Sequence, residues 1–336
     1  MGIVPEMKSS ERPTLKTIAK LSGLAVPTVS RALNDAPDIG DATKARVRDI
    51  AREIGYRPNR AGLRLRTGKT NVIALILSTE HDMMNHTARL ITAIAASTRG
   101  TPYHMIVTPY FPNQNPMEPI QYVTETRSAD GIILNQTQPG DPRVRYLMDI
   151  GFPFATHGRT NWSDRHPYFD FHNGTFGALS VRKLASRGRK SLVLVAPPKD
   201  QFYAIEMIEG AAEEARALGL DFEVLDAVSS DDAGAVVEAA MRRRYASEPP
   251  VDGVIAASTN AAMAVVSGLE AHGAVIGKDV DVIAKEAMSF LTRFRKEILV
   301  VKEDVTKAGE FLCRAVMQAI DHPDLPPMQQ IEYPSD

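Results

Sequence analysis

The chain has 336 residues, enough for two or three domains with large buried cores. Hydrophobic residues make up 44% and charged residues 24%, an ordinary balance for a globular protein, and no apolar run approaches the roughly 18 residues of a membrane-spanning helix. The N-terminus lacks the pattern of a secretory signal, and the single cysteine, Cys313, excludes an intrachain disulfide, so we expect a cytoplasmic protein without membrane contact.

The charge is unevenly distributed along the chain, although the net charge is only −2. Residues 1–70 contain 14 Lys and Arg against 7 Asp and Glu, whereas residues 71–336 contain 25 against 34. A basic N-terminal segment on an acidic body is typical of proteins that bind nucleic acid through one end.

The first 70 residues predict a small helical domain after a disordered leader at 1–12. Thr14 is expected to cap a first helix, which Gly23 ends in a tight turn. Apolar residues at helical spacing predict a second helix over residues 26–34 and a third over residues 41–54. Two short helices joined by a glycine turn and crossed by a third indicate a helix-turn-helix unit, which inserts its second helix into the major groove of DNA.

From residue 72 onward, short apolar strands alternate with helix-length segments. This alternation predicts parallel sheets flanked by helices, and the length favours two lobes. The predicted strands cover residues 72–77, 103–108, 131–135, 152–156, 192–196, 222–225, 253–257, 280–284 and 298–301. The predicted helices cover residues 85–98, 173–187, 203–218, 232–245, 260–272 and 305–320. The stretch HPYFDFH, residues 166–172, is expected at a crossover between the lobes.

The residues of the N-terminal segment carry a family resemblance. TLKTIAKLSGLAVPTVSRALND, followed by TKARVRDIAREIGYRPNRAGLRLRTGKT, resembles the headpiece and hinge of the lactose-repressor (LacI/GalR-type) family. The resemblance implies a two-lobed core like that of periplasmic binding proteins. The domains are then a leader (1–12), a headpiece (13–58), a hinge (59–70) and a core (71–336), whose first lobe is 71–168 with 299–324 and whose second is 169–298 with 325–336.

The resemblance also implies how DNA is bound. Base edges in the major groove would be reached by Val26, Pro27 and Arg31. Phosphates would be contacted by Thr14, Thr28, Ser30, Asn34 and Tyr56. A hinge helix from Asn59 would fold on DNA, with Leu65 wedged into the minor groove beside Leu63 and Arg64. Ala25 stands where the family often has a capping serine.

The effector would lie between the lobes, where sugar-responsive members use an Arg, an Asn and an Asp. Met207, Ser258 and Glu286 occupy these three positions, so the bidentate arginine donor is missing. Phe169 or Tyr203 would stack on an apolar face of the ligand, and Arg159 would meet an anionic one. The remaining polar candidates are His81, Asp82, His157, Asn260 and Glu303.

Together these features predict a homodimeric regulator of transcription, a repressor, that binds a pseudo-palindromic DNA operator and a sugar or sugar-derived effector. No cofactor, metal or catalytic motif is expected. Two alternatives stay open: a solute-binding protein of a transporter, which would not explain residues 14–66, and an α/β enzyme with a helical extension. Within the regulator class, release by an inducer and binding with a co-repressor are both compatible with the sequence.

Overall fold

A computed structural model describes residues 13–56, 64, 68–78, 84–111 and 113–334. The chain divides into two compact units between Thr70 and Asn71. The predicted leader and most of the predicted hinge, including Asn59, Leu63 and Leu65, lie outside the described residues.

The N-terminal unit is the predicted trio of short helices. They are α1 (Leu15–Ser22), α2 (Val26–Leu33) and α3 (Asp41–Glu53). Gly23 ends α1 in the left-handed conformation, with a φ of 70°, which costs glycine little because it has no Cβ. The three helices enclose a core of fully buried side chains, contributed by Ile18, Val29, Ala32 and Val47, together with Ala51.

The larger unit contains two parallel sheets. The first has six strands in the order β11-β5-β4-β3-β1-β2. These strands are β1 (Val72–Ser78), β2 (His104–Tyr110), β3 (Gly131–Leu134), β4 (Phe154–His157), β5 (Tyr168–Phe171) and β11 (Gln329–Glu332). Strand β1 lies between β2 and β3, with Ile73 opposite both Met105 and Gly131. Six of its residues are buried, as expected of a central parallel strand covered on both faces.

The second sheet has five strands in the order β10-β9-β8-β6-β7. They are β6 (Ser191–Val195), β7 (Asp221–Val224), β8 (Gly253–Ala256), β9 (Asp281–Glu286) and β10 (Leu299–Lys302). Its paired strands also run parallel, so each connection between neighbours crosses the sheet through a helix or a longer loop.

Helices flank both sheets and complete their cores. They are α4 (Met84–Ser97), α5 (Met117–Thr126), α6 (Pro142–Asp149), α7 (Asn173–Ser186), α8 (Phe202–Leu218), α9 (Gly234–Tyr245), α10 (Thr259–Glu270), α11 (Leu291–Phe294) and α12 (Val305–Asp321). Helix α12 packs on the first sheet, where Leu312 and Val316 join Leu75 and Ile133 in one core. Among the described residues, none of these helices combines the length and apolarity that crossing a lipid bilayer requires.

Three boundaries differ from the sequence prediction. HPYFDFH is not a bare crossover, because Tyr168–Phe171 forms β5 in the first sheet. The C-terminal segment belongs to the first sheet rather than the second lobe, because β11 pairs with β5. Conversely, β10 belongs to the second sheet, because Leu299 lies opposite Ile283 of β9. Hydrogen bonding between strands decided all three assignments, and chain order does not encode which strands pair.

The single cysteine gives a test of this packing. Cys313 is fully buried in α12, and burial raises the pKa of its thiol to about 11. We expect a thiol reagent such as Ellman's reagent to leave the native protein unmodified at pH 8, because the reactive thiolate is both scarce and inaccessible. In denaturant, one thiol per chain should react at once. Rapid labelling of the native protein would show that α12 does not pack on the first sheet as described.

Candidate functional site

The exposed face of α2 is the candidate DNA-reading surface. Pro27, Arg31 and Asn34 are exposed and lie at helical spacing along one side, whereas Val29 and Ala32 are buried on the other. Val26, Thr28 and Ser30 are half-buried at the edges of this face. A short helix that buries one face and exposes polar groups on the other has the form of a recognition helix.

Local contacts orient the residues of this surface. The exposed Arg31 forms an ion pair with Asp38 in the loop after α2, and Asn34 donates from Nδ2 to the Ser30 carbonyl at 2.5 Å. No side chain caps α2 at Ala25, as expected from the missing serine. Thr14, in contrast, caps α1 and forms a reciprocal capping box with Thr17.

Two further DNA-contact candidates fall within the described residues. Tyr56 is half-buried beside the headpiece core, and burial raises the pKa of its hydroxyl. The backbone of Arg64 is helical. The sequence placed Tyr56 near phosphate and Arg64 in the hinge, and both roles remain predictions.

The larger unit contains a cavity of about 690 Å³ at the carboxyl ends of its strands. Parallel sheets place their ligand sites at this edge, because the loops and helix starts that follow the strands converge there. The lining residues come from both sheets and from the helices that follow them. They are His86, Asn135, Gln136, His157, Gly158, Asp170, Phe171, Asn173, Pro197, Tyr203, Ser230, Asp231, Ala257, Ser258, Lys285 and Glu303.

One wall of the cavity is a cluster of two histidines, a carboxylate and a lysine. The Glu303 carboxylate lies 3.4 Å from Nε2 of His86 and 3.8 Å from Nε2 of His157 through Oε1, and 3.1 Å from Nζ of Lys285 through Oε2. The two imidazole rings stack at a centroid distance of 5.1 Å. Lys285 also donates to Oδ1 of Asn173 at 3.1 Å.

Burial and charge fix the protonation of this wall, which we call the histidine wall (His86, His157, Lys285 and Glu303). Burial, reinforced by His86, lowers the pKa of His157 to about 3, so its imidazole is neutral at pH 7. Burial alone would raise the pKa of Glu303, but Lys285 and the two histidines outweigh it and hold that pKa below its ordinary value. The wall therefore presents a carboxylate at neutral pH.

A second charged group stands at β5. Asp170 lines the cavity and accepts from Nε of Arg159 at 2.7 Å, while Nη2 of the same arginine donates to both oxygens of Glu206 at 2.5 and 2.6 Å. Burial and the nearby carboxylates raise the pKa of Asp170 to about 7 against the opposing effect of Arg159. The arginine is thus engaged by two acids, which leaves it poorly placed to attract an anionic ligand.

A buried arginine positions the loop after β3. Arg143, on α6, bonds both oxygens of Asp141, at 3.0 Å from Nε and 2.7 Å from Nη2. Its Nη2 also donates to the backbone carbonyls of Asn135 and Gln136, at 3.1 and 2.8 Å. Gln136 has a positive φ of 51°, an uncommon conformation that these bonds help to hold.

The structure brings together some of the predicted effector contacts and separates others. His157, Tyr203, Ser258 and Glu303 line the cavity, and Asn260 lines an adjoining recess of about 350 Å³. His81 and Asp82 lie outside the described residues.

The other four predicted contacts are not among the lining residues. Phe169 is fully buried against Phe311, and Met207, on α8, is fully buried in the core of the second sheet. Glu286 accepts from the backbone amides of Phe290 and Leu291, so it holds the start of α11. Arg159 is paired with Asp170 and Glu206.

Sequence reasoning did not select most of the lining residues, among them Asn135, Asp170, Ser230 and Lys285. A usable signal was present at three predicted strands, because Asn135 ends the strand at 131–135, and Ser258 and Lys285 directly follow the strands at 253–257 and 280–284. Selecting the polar residue at the carboxyl end of every predicted strand would have added Asn135 and Lys285. Asp170 and Ser230 do not lie at the end of a predicted strand. His86 carries no such signal, since it lies on a helix.

Known protein families match both units of the chain. Residues 14–59 match the model described as bacterial regulatory proteins, lacI family. Residues 181–335 match the model described as a periplasmic binding protein-like domain.

Curated relatives extend the similarity across the chain. The regulator AglR of Rhizobium meliloti is 29% identical over 278 residues, which cover 81% of this chain and 77% of AglR. The regulator CelR of Thermobifida fusca is 26% identical over 324 residues, 94% of each chain. RafR of Escherichia coli is 33% identical over 220 residues, 64% of this chain and 65% of RafR. All three are named HTH-type transcriptional regulators.

Solved structures share the fold at lower identity. A complex of the transcriptional regulator CelR with cellobiose has a TM-score of 0.70 at 23% identity, covering 96% of this chain and 98% of that one. The lac repressor dimer bound to operator and the anti-inducer ONPF has a TM-score of 0.82 at 17% identity, covering 97% of each chain. The chain thus combines a helix-turn-helix domain of the lacI family of bacterial regulatory proteins with a periplasmic binding protein-like domain, and its curated relatives are transcriptional regulators.

Proposed function

We propose that the protein is a homodimeric repressor that binds a pseudo-palindromic operator through its headpieces and releases it when a neutral saccharide binds in the cavity. The observation that carries the proposal is the presence, in one chain, of an exposed recognition-type helix and a ligand-sized cavity at the strand ends. A solute-binding protein of a transporter has no use for the first feature. A regulator of transcription works beside the chromosome, so we place the protein in the cytoplasm.

The cavity's composition favours an uncharged ligand with many hydroxyl groups. Its polar lining includes amides and hydroxyls, and the side chains of Phe171 and Tyr203 supply apolar surface. Asp170 and Arg159 are paired with each other, and of the other charged lining residues the acids Asp231 and Glu303 outnumber Lys285. An anionic ligand would therefore meet repulsion. The similarity to CelR, which has been solved with cellobiose, supports a saccharide.

Release follows if the saccharide stabilises an arrangement of the two lobes that the DNA-bound dimer does not adopt. A ligand shifts such an equilibrium by its difference in affinity for the two states. The lobes are joined by the segments after β5 and β10, so ligand contacts on both sheets can bias their arrangement. The catalytic alternative has no support in the family, whose relatives are regulators.

The proposal is tested by fluorescence anisotropy with DNA from upstream of the protein's own gene, at fixed salt, with and without neutral mono- and disaccharides. Fixed salt is essential because binding through phosphates weakens steeply as salt rises. We expect saturable binding to one palindromic site and release by one saccharide. A saccharide that tightens binding would instead show a co-repressor, and turnover of the saccharide would show an enzyme.

Arg31→Ala gives the decisive comparison in this assay. We expect specific binding to weaken by about 1–3 kcal/mol, because Arg31 is the charged side chain on the exposed face of α2. The matched control is Arg52→Ala, since Arg52 is also exposed and paired with an aspartate, at 3.1 Å, but lies on α3. The control should retain the preference for the operator over unrelated DNA. Equal losses in both variants would contradict base reading by α2.

A further inference from the structure

We propose that His86, His157 and Glu303 form a binding site for a divalent transition metal of the zinc class in the wall of the cavity. The proposal does not depend on the protein's regulation of transcription. It rests on the geometry of the histidine wall and on the chemistry of its donor atoms.

Three separate elements bring the donor atoms together. His86 is on α4, His157 ends β4, and Glu303 follows β10 of the other sheet. Each offers one ligand atom, and the three atoms lie within 4.8 Å of one another. Both imidazole Nε2 atoms lie near the same carboxylate oxygen, at 3.4 and 3.8 Å. An ion between them would need only small side-chain movements to reach bonding distances of about 2.0–2.2 Å.

The donor set matches zinc and its neighbours. Two imidazole nitrogens and one carboxylate oxygen are the ligands of open zinc sites, and the same set holds other late first-row metals. Calcium and magnesium prefer sets made of oxygen alone, so they are not expected here. All three residues line the cavity, so an open coordination position would face a bound ligand.

Lys285 sets the strength of the site. Its ammonium group contacts Oε2 of Glu303 at 3.1 Å, whereas the histidines approach Oε1. The metal and the lysine can therefore share the carboxylate through different oxygens, but the positive charge of the lysine opposes a cation so close to it. Removing that charge should strengthen metal binding by about tenfold or more. If the histidine wall had only a structural role, removing the charge of Lys285 would not strengthen metal binding.

The test uses full-length protein without DNA or saccharide. Cobalt(II) is titrated and followed by its visible absorption, which reports nitrogen and oxygen ligands at the ion, and zinc is titrated by calorimetry. We expect one ion per chain in the wild type. Affinity should fall by about 100-fold or more in His86→Gln and His157→Gln, since even residues that merely support a metal's ligands commonly contribute 10–100-fold. Lys285→Met should bind more tightly.

The control is His272→Gln. His272 is an exposed histidine that contacts Tyr245 at the end of α9 and does not line the cavity. It should bind as the wild type does. Circular dichroism checks that each variant is folded, and His86→Gln, at a half-exposed helix position, is the less disruptive of the two. The site is overturned if no cobalt band appears, if the band survives either cavity substitution, or if Lys285→Met fails to raise the affinity. None of these results bears on whether the protein binds DNA.

Discussion

Arg143→Met is expected to destabilise the core unit by about 3–5 kcal/mol, the usual cost of breaking a buried ion pair from one side. The substitution leaves the buried Asp141 carboxylate without its bidentate partner and removes the donor shared by the carbonyls of Asn135 and Gln136. Urea denaturation followed by circular dichroism measures the loss. Because that loop lines the cavity, the affinity for the effector should fall as well.

Arg145→Met is the matched control. Arg145 lies two residues further along α6, is exposed, and has its guanidinium carbon 5.9 Å from the Trp162 ring centre. An exposed interaction of this kind contributes about 0.5–1 kcal/mol, so the control should stay close to the wild type. Similar stability losses in the two variants would mean that the Arg143 network does not support the fold. A stability loss with unchanged effector affinity would separate the network from the cavity.

Gly210→Ala is expected to lower the free energy of unfolding by about 3 kcal/mol, at the upper end of the usual cost of overpacking. Alanine normally stabilises a helix relative to glycine by about 0.5–1 kcal/mol, so the predicted sign is reversed here. The reason is the close crossing of α7 and α8. A Cβ at residue 210 would lie 2.2 Å from the carbonyl oxygen of Gly174 and 2.8 Å from its Cα, and backbone atoms cannot yield as a flexible side chain does.

Gly234→Ala is the matched control, and we expect it not to destabilise the protein. Gly234 begins α9, and an added Cβ there would meet only the Cβ of Ala264, at an ordinary 3.9 Å. This variant should equal or exceed the stability of the wild type. Thermal unfolding of both variants is the measurement. If Gly210→Ala were as stable as Gly234→Ala, the two helices could not cross as closely as described.

The Gly210→Ala substitution should also change the shape of the cavity. Asn173 begins α7 and Tyr203 lies in the first turn of α8, and both line the cavity. Forcing the two helices apart moves these side chains, so we expect the affinity for the saccharide to fall together with stability.

The sequence predicted the headpiece and the alternation of strands and helices because both depend on short-range chemistry. The glycine turn, the Thr14 cap and the helical spacing of Leu15, Ile18 and Ala19 each act within one or two helical turns. Nine of the strands were predicted because largely apolar runs of four to six residues are typical of buried strands. Strands β5 and β11 were missed because Tyr168–Phe171 mixes aromatic and charged residues and Gln329–Glu332 is largely polar.

Which residues line the cavity depends on contacts between residues far apart in the sequence, and no local sequence pattern contains these contacts. Met207, Ser258 and Glu286 were selected by alignment to a family, but only Ser258 lines the cavity, because Met207 lies in the core and Glu286 holds the start of α11. Whether a residue beside a strand end faces a cavity or a neighbouring helix depends on packing, and one helical position changes the direction by about 100°.

By itself the sequence determined the class of protein, a helix-turn-helix head on an α/β core, because that information lies in motifs of contiguous residues. Only the tertiary structure decided which sheet receives β5, β10 and β11, and which side chains meet at the histidine wall. His86 and Glu303 are 217 residues apart, and their contact at 3.4 Å exists because two separately formed sheets turn their carboxyl edges toward the same cavity. Pairing between distant segments is set by the packing of the whole core, and a linear pattern records only what each segment contributes to it.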